Sequence, residues 1–222
     1  MIELENMNDL FKLISRNLRK DILCYAFGGN AMMHYGYKNA TKDIDLIFDE
    51  KDAMEGFVRA IRLLGYKKES APGLYPKEKN KPIMYTRGDE RFDLFLKEVF
   101  QTRLSKSMIY RTFGRFDFSM KDNTLTVFVL SKEDIILMKS ITQRERDFDD
   151  ILTIVEHETN INWKLIVEEA LWQADHGDGW VILDLEETLQ RLKRYTLIKK
   201  EHFEMLYRRY SSSSTVHRKY RK

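Results

Sequence analysis

Residues 43–48 read Asp-Ile-Asp-Leu-Ile-Phe, carboxylates alternating with apolar side chains in a pattern that suits a β-strand. Side chains two apart on a strand project to one face, about 6.6 Å apart along the backbone. Asp43 and Asp45 therefore share one face, and Ile44 and Leu46 the other. Two ionised carboxylates so placed repel each other, and burying them unpaired costs several kcal/mol. Such a strand either turns that face to solvent or supplies a strong positive partner. Carboxylates are the hard oxygen ligands that Mg²⁺ and Mn²⁺ prefer, so a divalent cation is the economical partner.

Gly28-Gly29 sits upstream, where the short apolar strand "CYAF" meets the helix-like "NAMMHYG". Glycine permits positive φ and a close approach of backbone to ligand. The start of a helix offers free N–H groups to phosphate. A common turn and a solvated strand are the plain alternatives for each piece alone. Together they describe one site, with amides for a polyphosphate and carboxylates for its metal. Asp93, between Phe92 and Leu94 in "RFDLFL", is a third carboxylate on an apolar strand. Beside Asp43 and Asp45 it completes a clamp for two metals or serves as a general base. Its other reading is a salt bridge to Arg91 or Arg115.

Periodicity gives an amphipathic helix over 6–20 and another over 51–64, closed by Gly65. A proline-containing loop is expected over 70–82. Strands follow at "IMYTR" and "RFDLFLKEVF" around Gly88-Asp89, then at "FGRFDFSM" and "TLTVFVL" around "KDN". From Ser131 the pattern is helical, over 132–143, 146–157, 162–175, 183–195 and 199–210, with "HGDG" as a break. The expected fold class is α+β: a mixed-sheet core over 1–130, a helical part over 131–210, and a basic, disordered tail over 211–222.

Composition narrows the class. No apolar run approaches the roughly 18–20 residues that span a bilayer, and the first twenty residues lack the apolar core of a signal peptide. The single cysteine, Cys24, excludes a disulfide framework and reads as a buried thiol. A cytoplasmic protein is expected, with no membrane partner. His34, His157, His176, His202 and His217 show no ligand spacing with Cys24, which argues against zinc. From Arg191 onward eleven Lys/Arg face two Glu, a net +9, which leaves −6 for the rest. An acidic body with a basic end suits a polyanionic partner such as RNA; a solvated helix and tail is the bland alternative.

"FGG", a short helix and "ATKDIDLIF", with a distant Asp on a later strand, resemble the signature of the nucleotidyltransferase superfamily that includes DNA polymerase beta. The Thr-x-Asp-Ile-Asp form is similar to stand-alone members related to abortive-infection toxins of type IV toxin–antitoxin systems. So is "LSKEDIILMKSITQRERDFDDILTI", with Lys139, Arg144, Arg146, Asp147 and Asp150. The resemblance covers roughly 22–156. It implies a nucleotidyltransferase-type mixed sheet, an NTP as substrate, Mg²⁺ (or Mn²⁺) on Asp43, Asp45 and Asp93, and a phosphate site at Gly28, Gly29, Asn30 and Thr41. Lys139 would reach the triphosphate, a task suited to a compact ammonium. Members often carry Ser after the glycine; Asn30 stands here and can donate from its amide. The dense charges at Arg144, Arg146, Asp147, Asp149 and Asp150 read as structural. The implied activity moves a nucleoside monophosphate to an acceptor hydroxyl of RNA, a protein side chain or a small molecule, with a cognate antitoxin as an expected partner; the basic C-terminus favours RNA. The rival is a non-catalytic RNA- or partner-binding member of the same fold.

Overall fold

A computed structural model describes residues 1–70 and 80–212, and the side chains up to 209. Most of the loop expected over 70–82, and the tail from 213 on, lie outside the described residues. The chain forms two compact units: Met1–Phe100 with Leu104–Ser131, and Gln101–Arg103 with the chain from Lys132 onward. The fold is mixed α+β, with a mixed sheet and a helical C-terminal half. Among the described residues no helix is long and apolar enough to cross a membrane.

The first unit runs β1 (Ile2–Glu3), α1 (Leu4–Ser15), β2 (Ile22–Ala26), α2 (Gly28–His34), β3 (Ala40–Thr41), β4 (Asp43–Phe48) and α3 (Lys51–Leu63). It continues with β5 (Lys67–Glu69), β6 (Ile83–Arg87), β7 (Glu90–Leu96) and β8 (Glu98–Val99). After β9 (Thr102–Arg103), which belongs to the second unit, come α4 (Lys106–Tyr110), β10 (Gly114–Ser119) and β11 (Thr124–Val129). Seven strands form one sheet in the order β10-β11-β2-β4-β7-β6-β5. The β11/β2 and β4/β7 pairs are parallel and the others antiparallel.

One face of the sheet is the core. Ile44, Leu46 and Phe48 of β4 are buried there, and Phe57 of α3 packs its ring 5.3 Å from Phe48 and 5.4 Å from Phe92. Met7, Leu10, Phe11 and Ile14 give α1 its buried stripe. That helix stops at Ser15, five residues before the expected end. Ser15 Oγ donates to the Lys12 carbonyl (2.7 Å) and Asn17 Nδ2 to the Leu13 carbonyl (3.1 Å), side-chain bonds that compete with continued helix. The β1/β3 pair, β5, β8, β9 and α4 are too short to leave a periodic trace in sequence.

The second unit holds α5 (Lys132–Thr142), α6 (Glu145–His157), α7 (Trp163–His176), α8 (Trp180–Leu192) and α9 (Lys200–Ser212). α9 continues two residues past the expected end, and α8 starts three residues early. α5 is buried almost all round, from Asp134 to Ile141. Gln101–Arg103 join this unit because the Gln173 amide grips the backbone of Arg103. It accepts from the Arg103 N–H at 2.8 Å and donates to the Arg103 carbonyl at 2.7 Å.

Candidate active site

The register of β4 and β7 builds the site. Asp43 lies opposite Arg91 and Asp45 opposite Asp93. Residues in one row of a sheet share a face, as do residues two apart, so all four side chains project together. The opposite face carries Ile44 and Phe92. Asp43 and Asp45 are half-buried, whereas Asp93 is 1% exposed.

Arg91 supplies the positive charge in this arrangement. Its Nη2 donates to Asp43 Oδ2 and, at 3.1 Å, to Asp93 Oδ2, while its Nε lies 2.9 Å from Asp93 Oδ1. The Nη2 shared between Asp43 and Asp93 ties both carboxylates to one guanidinium through charge-assisted hydrogen bonds. Arg115, the other candidate partner for Asp93, instead pairs with Asp117 at 3.0 Å. The bridge from Arg91 to Asp43 was not anticipated, although an Arg two residues before Asp93 on a strand must share its face.

The glycine turn touches the same carboxylates. Gly28 has φ +63°, and a Cβ there would fall 2.3 Å from Asp45 Oδ2. A Cβ on Gly29 would fall 2.4 Å from Thr41 Oγ1. Thr41 donates that hydroxyl to the Asp43 carbonyl at 3.1 Å. Both glycines therefore let the turn lie against the start of β4. Asn30 is fully buried and clamps the backbone of Asp45. It accepts from the Asp45 N–H at 3.2 Å and donates to the Asp45 carbonyl at 3.3 Å. In this arrangement Asn30 and Thr41 fix the backbone that carries the aspartates.

The donor chemistry of Asp43 and Asp45 fits a hard divalent cation. Both oxygens of Asp93 face Arg91, so Asp93 holds the guanidinium here and is poorly placed to take a hydroxyl proton. Among the described residues no group of three or more His, Cys, Asp or Glu side chains is arranged to hold a metal ion.

Lys139 belongs to the helical unit and is 8% exposed. Its Nζ donates to Asp147 Oδ1 at 2.9 Å and to Asp150 Oδ2 at 2.6 Å. Asp147 also accepts from Thr142 Oγ1 at 2.5 Å and from Arg144 Nε at 2.7 Å. Burial opposes the charge on Lys139, but the two carboxylates outweigh it and raise its pKa. Burial likewise pushes Asp147 up, yet Lys139, Thr142 and Arg144 bring it down to about 2. Sequence reading separated Lys139 from these aspartates; the signal that joins them is spacing across the α5–α6 turn. Cys24 is fully buried, and burial raises its pKa, which keeps it a neutral thiol.

The chain matches no protein-family model and no curated protein.

Proposed function

We propose that this chain is a metal-dependent nucleotidyltransferase that moves a nucleoside monophosphate from an NTP to an acceptor hydroxyl and releases pyrophosphate. The observation that carries the reading is the β4/β7 register, which gathers Asp43, Asp45, Arg91 and Asp93 on one sheet face beneath the Gly28 turn. Asp43 and Asp45 would hold Mg²⁺ or Mn²⁺, which supplies charge neutralisation at the phosphates when bound. Gly28 and Gly29 let the backbone of the turn lie directly against Asp45 and Thr41. Arg91 orients Asp43 and adds positive charge on the same face. Within this class the motif resemblance favours a toxin of a toxin–antitoxin pair with Lys139 contributing to triphosphate binding, the basic C-terminus favours RNA as acceptor, and the composition favours the cytoplasm.

The test is incubation of the full chain with each α-labelled NTP, with and without Mg²⁺, and with total cellular RNA or protein. Label should move to one acceptor class only when the metal is present. Asp43→Asn and Asp45→Asn should each lower transfer by about 100-fold or more, beyond the 10–100-fold typical of groups that merely support a metal ligand. Asp45→Asn should also leave the melting temperature intact, since it removes one of two adjacent carboxylates. Full transfer in either variant removes the assignment.

One observation favours a second reading. Arg91 already neutralises Asp43 and Asp93, which is what a non-catalytic RNA- or partner-binding member of the fold would require. Nucleotide binding that does not respond to Mg²⁺ selects that reading.

A further inference from the structure

Two hollows lie side by side on the first unit. One, of about 390 Å³, lies between the end of α1 and the face of α3, with Ile22 and Gly56 in its lining. The other, of about 460 Å³, lies between the end of α3 and the β5/β6 edge, beside Tyr66 and Tyr85. Arg62 lines both, so the two adjoin across that one side chain. Arg19, Lys20 and Arg59 line the first, and Lys67 and Lys68 the second. All six cations are exposed, and neither hollow is lined by an acidic residue. The six come from three stretches of sequence, which hid the cluster inside a body with a net negative charge. Two local features bring them together. Gly56 lets α3 approach Ile22, where a Cβ would meet its Cδ1 at 2.8 Å, and Gly65, with φ +91°, turns the chain from Arg62 back into β5.

The stripe has a direction. Lys68 lies in the row Lys68–Tyr85–Phe92–Ile44, on the helix-covered face of the sheet. Lys67 lies in the row Lys67–Thr86–Arg91–Asp43, on the carboxylate face. β5 ends the sheet, so the cations pass round its edge and finish in the same row as Asp43, three strand spacings or about 14 Å away.

We infer that this stripe is a docking groove for the phosphodiester backbone of single-stranded RNA, which it leads round the β5 edge towards the carboxylate face. Concavity and charge favour a strand over a membrane, because a flat bilayer cannot enter a recess. Asn17 lines the first hollow with its Nδ2 already given to the Leu13 carbonyl. Its second amide N–H and its Oδ1 remain, a donor and an acceptor that suit a 2′-hydroxyl, which both donates and accepts. Part of the charge of the C-terminal segment is taken up among the described residues. Arg191 is paired with Glu145, Arg209 with Asp175 and Lys200 with Glu204. The inference rests on the function proposed above only for the choice of RNA, since docking needs neither nucleotide nor metal.

Binding of fluorescent single-stranded RNA to the full chain, without NTP or Mg²⁺, tests it. Six backbone contacts predict a slope of log K against log salt of about −4, or roughly 16-fold weaker binding for each doubling of salt. Arg59→Ala/Arg62→Ala/Lys68→Ala should reduce that slope to about −2. The lysine version at Arg59 and Arg62 should keep it, and neutralising Lys164, Lys199 and Lys200 should leave it unchanged. All these positions are exposed, and a melting curve on each variant verifies the fold. An unchanged slope in the triple alanine variant overturns the inference, as does equal loss in the Lys164, Lys199 and Lys200 control. So does equal affinity for DNA of the same sequence, or binding to anionic phospholipid vesicles in place of RNA. Asp45→Asn should bind RNA as the parent does while losing transfer, which separates failure of this groove from failure of the transferase reading.

Discussion

Lys139→Ala should lower stability by about 3–5 kcal/mol, the loss typical when one partner of a buried ion cluster is removed. Asp147 and Asp150 are both buried, and the substitution leaves only Arg144 as cation on Asp147. A loss of that size is a large part of the roughly 5–15 kcal/mol that holds a domain together. The acid dependence should reverse as well. In the parent chain the pKa of Asp147 is depressed to about 2 from an ordinary 3.8. Its stabilising contribution, about 2 kcal/mol, is present above pH 4 and is lost as pH falls towards 2. Lys139 has a raised pKa, so its part is complete below its ordinary value and fades only as pH climbs through the raised one. In Lys139→Ala the buried Asp147 keeps only one of its two cations and is costlier to ionise, so acid should stabilise the variant while it weakens the parent. Denaturant midpoints at pH 3, inside the window where the Asp147 contribution is being lost, and at pH 7 decide this. A variant that melts with the parent at both would show that the cluster carries little stability. Nucleotide affinity measured where the variant remains folded then tells whether Lys139 also serves a triphosphate.

Gly28→Ala should abolish metal-dependent nucleotide binding more completely than its size suggests. The new Cβ would sit 2.3 Å from Asp45 Oδ2 and 3.1 Å from its Cγ, closer than non-bonded atoms tolerate. The backbone also holds φ +63°, where a side chain costs about 1–2 kcal/mol. Either the carboxylate or the turn must move, and both belong to the proposed site. A loss of about 100-fold in Mg²⁺-dependent binding is expected, comparable to losing a group that supports a metal ligand. Gly29→Ala is the informative comparison. Its Cβ meets the Thr41 hydroxyl, the end of a small side chain, and φ there is not positive. It should weaken binding less. Calorimetric titration with Mg²⁺-NTP measures both, and equal, full binding in Gly28→Ala would remove Asp45 from the site.

How much of this was legible in the sequence depends on the range of each interaction. Asp43 and Asp45 declared their shared face because a strand period of two is local, and the helices from Lys132 onward declared themselves by a longer period over many turns. Asp93 joined them only through the parallel pairing of β4 with β7, which no local pattern specifies. Arg91 was visible as a partner for Asp93 but not for Asp43, since the second pairing depends on register across strands. Asn30 was read for its amide chemistry alone. That amide is spent on the Asp45 backbone, a bond between residues fifteen apart in sequence. The six cations of the groove were invisible because net charge sums over a whole body and says nothing of which short segments meet.

The parallel pairing of β4 with β7 also governs when the carboxylate face can form. Asp45 emerges from the ribosome 48 residues before Asp93, and two neighbours in a parallel sheet cannot meet until the segment between them has crossed over. A nascent or truncated chain ending before β7 carries two carboxylates and no Arg91, with nothing to hold them in register. Contacts of such separation form late, after loop-closure entropy has been overcome. The topology is a built-in delay: the carboxylate face exists only in a chain whose first unit has finished folding.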